Sequence, residues 1–209
     1  MPKMTITTTI NTDSVKHSFL TRLAHAGLAL AVIVQLLTSL VLTAPAPDAK
    51  GNWYFEVHEY GGLTAFAFML LFWVVMLGRK HGTPFGLMFP WVSGARLAAL
   101  WSDIKLHVQS LLKFKMPPYD DHSPLASAVH GLGLLLVTAM ATSGTIYYFI
   151  NAGNPDAGGL VGVVMFVHQT LANLVWAYLI GHAGLAVIHH FTQNTSLTEM
   201  WSLRRSNPR

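Results

Sequence analysis

The chain has 209 residues, 52% of them hydrophobic and 11% charged, with a formal net charge of +4. A soluble domain of this size carries about a quarter charged residues, so the composition excludes an ordinary water-soluble globular protein. There is no cysteine, which excludes disulfides, thiolate metal sites, iron–sulfur clusters and a covalently attached c-type haem.

Residues 1–20, with the Thr-rich stretch MTITTTINT, predict a polar N-terminal tail. Beyond it, charges are absent between Arg22 and Asp48, Glu59 and Arg79, Asp121 and Asp156, and Asp156 and Glu199. Apolar windows of about 18 residues or more are candidate membrane spans. Four are expected, at about 22–43, 55–78, 124–149 and 160–191. Ala44-Pro45-Ala46 after the first run loosely imitates a signal-peptidase site. Signal h-regions run about 7–15 residues and this run is about 20, so an uncleaved span is expected. The expected fold is all-α, a membrane four-helix bundle forming one domain over 1–209.

Lys3, Lys16 and Arg22 precede the first span, and Arg79, Lys80, Arg96, Lys105, Lys113 and Lys115 lie between the second and third. Arg204, Arg205 and Arg209 follow the fourth, leaving only Lys50 in a loop on the opposite side, with Asp48, Glu56, Glu59 and Asp156. Basic residues stay on the cytoplasmic side. Both termini and the 79–123 loop are therefore expected there, in a multi-pass protein of a bacterial inner membrane. Trp53, Tyr54 and Phe55, and Tyr147, Tyr148 and Phe149, suit the outer aromatic belt. Within the loop, Leu97, Leu100, Trp101, Ile104, Val108, Leu111 and Leu112 recur at helical spacing beside Lys105, Lys113 and Lys115. That pattern predicts an extra amphipathic helix, lying on the inner leaflet or capping the bundle.

The spans hold histidines, which hydrocarbon tolerates only with partners. His168 and His182 are 14 residues apart in the fourth span. That is nearly four turns, placing both on one helix face about 21 Å apart along the axis. His189 continues the stripe, and His190 points off it. His168 lies at the depth of His58 on the second span, and His182 at the depth of His25 on the first. Two histidines on facing helices can ligate haem iron from both sides, so the pairs predict two b haems. Gly27, Gly61, Gly62, Gly131, Gly133, Gly181 and Gly184 lie near these histidines or on the third span. They would admit a macrocycle or simply pack helices. His130 has no unclaimed partner at its depth and reads as a hydrogen-bonding or propionate-side residue. Arg22, one turn before His25, would pair with a propionate or anchor the helix end. His189 would contact a propionate or a quinone headgroup, or sit at the interface. His17, His81, His107 and His122 read as cytoplasmic surface residues. A transporter binding a metal or relaying protons is the rival class. It gains from the metal affinity of imidazole but lacks Asp or Glu deep in the spans. A purely structural anchor would make the pairing accidental.

HQTLANLVWAYLIGHAGLAVIHHF followed by NTSLTEM resembles the last helix of the prokaryotic cytochrome b561 family. HEYGG at 58–62 and RLAHAGL at 22–28 fit the wider superfamily of four-helix di-haem cytochromes, which includes membrane b subunits of hydrogenases and formate dehydrogenases. The resemblance implies two non-covalent b haems, one on His25 with His182 and one on His58 with His168. It implies electron transfer between quinone at one face and another redox carrier at the other, as in respiratory chains. With both axial sites filled, such irons would transfer electrons and not bind oxygen. Expected partners are lipid, quinone and an outer-face redox protein or small redox molecule, in a homodimer or a larger oxidoreductase complex. Some family members are stand-alone superoxide:ubiquinone oxidoreductases. The 79–123 loop is longer than in compact members, which favours the multi-subunit kind of relative over a superoxide oxidase.

Overall fold

The computed structural model describes residues 17–46, 48–79, 84–115, 117, 120, 123–150, 158–193 and 197–202. The tail at 1–16, Lys80, His81, His122, Asp156, Arg204, Arg205 and Arg209 lie outside them. Four long helices carry the fold: α1 (Phe19–Ser39), α2 (Trp53–Gly78), α5 (Pro124–Ile150) and α6 (Gly159–Gln193). Each is long and apolar enough to cross a membrane. Between α2 and α5 come a short α3 (Phe85–Met88), a 3-10 turn (Pro90–Val92) and α4 (Gly94–Leu112), and a last turn, α7, covers Thr198–Trp201.

The first span is displaced from its expected range of about 22–43. It begins at Phe19 because the Ser18 hydroxyl caps it, accepting from the Thr21 N–H at 3.1 Å. It stops at Ser39 although the apolar run continues. Asn52 takes the backbone groups a longer helix would have used: its Nδ2 donates to the Val41 carbonyl at 2.9 Å, and its Oδ1 accepts from Thr43 N at 3.0 Å. The same Oδ1 accepts from Phe55 N at 3.1 Å and caps α2. One side chain thus ends α1, closes the turn and starts α2. The other three spans match their expected ranges to within two residues. At its start, α6 uses Gly158 and Gly159 at φ +68° and +55°, a region that costs glycine little. Its 35 residues make it about 52 Å long, some 20 Å more than the hydrocarbon thickness, so its ends stand in the interfaces.

The helices pack in chain order, α1 on α2, α2 on α5 and α5 on α6. The loop after α2 adds to the joint between α2 and α5. Met76, Met88, Phe89 and Leu134 form a buried cluster, with Phe72 and Trp73 against it. Trp73 stacks on Phe89, their rings 6.1 Å apart and 8° from parallel, and its Nε1 donates to Thr138 Oγ1 at 2.9 Å. Segment 85–92 reaches α5 because Gly131 has no Cβ. A Cβ there would overlap the Met88 carbonyl.

The predicted loop helix is α4. None of its residues is buried in the protein, so core packing does not account for it. One polar latch ties it to α5. Asp103 Oδ2 accepts from Ser123 Oγ at 2.6 Å and from the Leu125 N–H at 3.0 Å, and His107 Nδ1 lies 3.0 Å from Oδ1. Burial opposes ionisation of Asp103. The Ser123 hydroxyl, the Leu125 N–H and His107 outweigh it and hold the carboxyl below its ordinary value of 3.8. A group depressed on folding stabilises the fold above its unfolded pKa and loses that contribution as pH falls through its folded pKa. Asp103→Ala is expected to cost about 1 kcal/mol at neutral pH, the usual worth of a helix cap. In thermal melts of the detergent-solubilised protein, the gap from wild type should close as pH drops below the carboxylate range. A gap independent of pH would show that the ionised latch contributes nothing.

Candidate functional site

The histidines of the spans fall at two levels, one near the Asn52 turn and one near the opposite, loop end. At the turn end, His58 of α2 and His168 of α6 face each other with ring centroids 6.3 Å apart and planes crossed at 86°. Each ring is held from behind by a hydroxyl on the neighbouring helix. His58 Nδ1 lies 2.9 Å from Thr38 Oγ1 of α1, and His168 Nδ1 lies 2.9 Å from Ser143 Oγ of α5. These hydroxyls spend their own protons on backbone carbonyls. Thr38 donates to Val34 O at 2.8 Å and Ser143 to Met140 O at 2.9 Å. Their oxygens are therefore acceptors for the imidazole N–H. Gly144 completes the setting, since a Cβ on it would stand 3.1 Å from His168 Cε1.

At the loop end, the structure gathers more than the expected pair. His25 of α1, His130 of α5 and His182 of α6 lie close enough to interact electrostatically, with His17 near His25 and His130. His182 stacks on Tyr178, 5.4 Å away and 9° from parallel, and meets His130 edge-on at 5.4 Å. His25 meets Trp201 of α7 edge-on at 5.8 Å. His130 thus touches a histidine already assigned to a pair, because α5 and α6 pack directly. This level holds three imidazoles from the long helices, with His17 beside them. Arg22 is buried in the first turn of α1, its N–H donating to Ser18 O at 3.1 Å. His189 is half-buried near the end of α6, and His190 contacts Phe191. His107 belongs to the Asp103 latch.

The glycines near the histidines divide by what they face. Gly27 lies against Phe68, Gly61 and Gly62 against Gln35, Gly131 against Met88 and Gly133 against Tyr178, all of which is helix packing. Gly181 and Gly184, flanking His182, face open space. Gly133 acts on the site indirectly. A Cβ there would overlap Cζ and Oη of the Tyr178 ring that stacks on His182.

Four apolar helices with imidazoles at two levels fit a multi-pass membrane protein. The family model for prokaryotic cytochrome b561 matches residues 16–203, and the chain belongs to that family. It is accordingly a membrane b-type cytochrome, a haem-binding protein of electron transfer. Neither the curated proteins nor the solved structures contain a match to it. The hydroxyls of Thr38 and Ser143, and the stack of Tyr178 on His182, were not foreseen from sequence.

The Gly133–Tyr178 contact yields a non-additive prediction. Gly133→Ala should lower thermal stability by about 1–3 kcal/mol, as overpacking does. Adding Tyr178→Leu should recover much of that loss, giving a coupling above about 0.5 kcal/mol in a double-mutant cycle. Simple additivity would mean that the ring and the glycine do not contend for one space.

Proposed function

We propose that the chain is a di-haem b-type cytochrome carrying electrons across the bacterial inner membrane, between an outer-face redox partner and a quinone near the inner face. One haem is held by His58 and His168, the other by His25 and His182. The observation that carries this reading is the opposition of His58 and His168 across the bundle. A metal–imidazole bond is about 2 Å and a ring nitrogen sits roughly 1 Å from its ring centre. One ion between two such nitrogens sets the centres roughly 6 Å apart, and the observed separation is 6.3 Å. The donor set suits haem iron, since neutral imidazole is a good ligand and each ring's Nδ1 is already engaged. The loop-end level supplies a second imidazole from each of α1 and α6, with Gly181 and Gly184 leaving room beside His182.

When bound, the haems supply a one-electron ferric/ferrous couple. The chain's own part would be to hold the rings still, keep water away with apolar helices and offer an imidazole to each side of the bound group. Positive charge at the loop end supports a cytoplasmic position for that end, which would make the His58/His168 level the outer one. Quinone chemistry also needs protons, and His189 and Arg22 stand at the inner end to bind its headgroup. The exposed apolar side chains of α4, among them Trp101, Val108 and Leu111, suit the lipid surface beside that site.

His168→Ala and His58→Ala should each reduce haem content from two per chain to one in the reduced-minus-oxidised spectrum. Full haem content in either variant would overturn the assignment. Were the two rings to hold a haem with the crossed planes seen here, they would donate about equally into both iron π orbitals and leave them near-degenerate. The outer ferric haem should therefore give a strongly anisotropic low-spin resonance, absent from both variants.

A further inference from the structure

We propose that Thr38 and Ser143 are positioning residues for the outer haem, each fixing the tautomer and donor strength of one axial imidazole from a neighbouring helix. This rests on His58 and His168 being the axial ligands. Neutral imidazole carries one proton, and the nitrogen bearing it cannot bind a metal; which nitrogen that is depends on the hydrogen bond made by the other. A hydroxyl between an imidazole and a carbonyl has one proton to give. Thr38 Oγ1 lies 2.8 Å from Val34 O and 3.1 Å from Gln35 O, and Ser143 Oγ lies 2.9 Å from Met140 O. With the hydroxyl protons directed at these carbonyls, each helix carbonyl gains a second donor beside its own backbone N–H. What each hydroxyl then offers the ring is a lone pair.

Both rings consequently carry their proton on Nδ1, bonded over 2.9 Å, and keep Nε2 as the lone-pair nitrogen. In the opposite tautomer each hydroxyl would have to turn its proton from its helix carbonyl to Nδ1, giving up a bond made where the residues are buried, Thr38 at 8% and Ser143 at 7% exposure. Giving up such a bond costs on the order of 1 kcal/mol, which biases the ring toward one tautomer before any haem enters. Accepting from Nδ1–H also makes the imidazole a stronger donor, which favours ferric over ferrous iron. The arrangement crosses helices both times, with α1 setting the ring on α2 and α5 the ring on α6. The inner level is built otherwise, since Nδ1 of His25 is buried without a hydrogen-bond partner.

The test is potentiometric titration of both haems, read optically and by electron paramagnetic resonance, in Thr38→Val and Ser143→Ala. Thr38→Ser and Ser143→Thr serve as hydroxyl-retaining controls. Each hydroxyl lost should move one haem's oxidised-to-reduced equilibrium three- to tenfold toward ferrous, tenfold being about 59 mV for one electron. The other haem should stay put, and the hydroxyl-retaining variants should match wild type. If Thr38→Val loses the outer haem outright, its retention in Thr38→Ser still assigns the effect to the hydroxyl. Unchanged midpoints, equal shifts in both haems, or effects shared by the hydroxyl-retaining variants would overturn the proposal. Failure of the ligand assignment itself shows separately, as two haems retained in His168→Ala.

Discussion

Hydrocarbon offers no hydrogen bonds, so an imidazole among these spans depends on the protein for any partner it has. At the turn end the partners are hydroxyls that have already given their protons to their own helices. That makes α1 and α2 one working unit and α5 and α6 another, since each pair orients one ring. The distance between units is set elsewhere. Trp73 of α2, bonded to Thr138 of α5 and stacked on Phe89, and the cluster of Met76, Met88 and Leu134, fix how close α2 approaches α5. Helix α6 is carried on α5, so large side chains toward the loop end set the spacing at which His58 and His168 face each other near the turn.

The same dependence explains what the sequence discloses. Membrane spans are legible because avoidance of charge over about 20 residues is a one-dimensional signal. Their ends are less so. The end of α1 depends on Asn52, eleven residues past Val41, reaching back for its carbonyl. The depth of each histidine is also legible, because helical rise is fixed, and it brings His58 and His168 to one level. Which helices are neighbours is not fixed by rise. The contact of His130 with His182 follows from α5 packing on α6, which depth alone does not specify.

Thr38 and Ser143 illustrate the harder case. Hydroxyls in apolar helices commonly bond back to a carbonyl three or four residues earlier, and Thr64, Thr138, Thr170 and Thr192 all do so here. Nothing in the local sequence separates these from Thr38 and Ser143. The difference is only that an imidazole from another helix arrives at the oxygen. The glycines behave similarly. Seven near the histidines look equivalent in sequence, yet Gly181 and Gly184 face open space while the other five accommodate a neighbouring side chain or backbone.

The two levels differ in a way that matches the two ends of an electron path. An electron relay needs rings that do not reorient as charge comes and goes, and the outer level has two imidazoles, each tied by one hydroxyl. Quinone chemistry joins protons to electrons and needs titratable groups beyond the ligands. On the proposed reading the loop-end level would supply them, with His130 against His182, and with His189 two turns further along α6 from His182. At about 52 Å, α6 overreaches the hydrocarbon, and His189 lies about one turn from its end. Trp201 and Tyr178 meanwhile lie against His25 and His182 with aromatic surface, which neither donates to nor accepts from the ring nitrogens as a hydroxyl does. Hydroxyl-tied imidazoles at one end and aromatic-lined imidazoles at the other follow from where a few side chains sit in helices that are otherwise apolar.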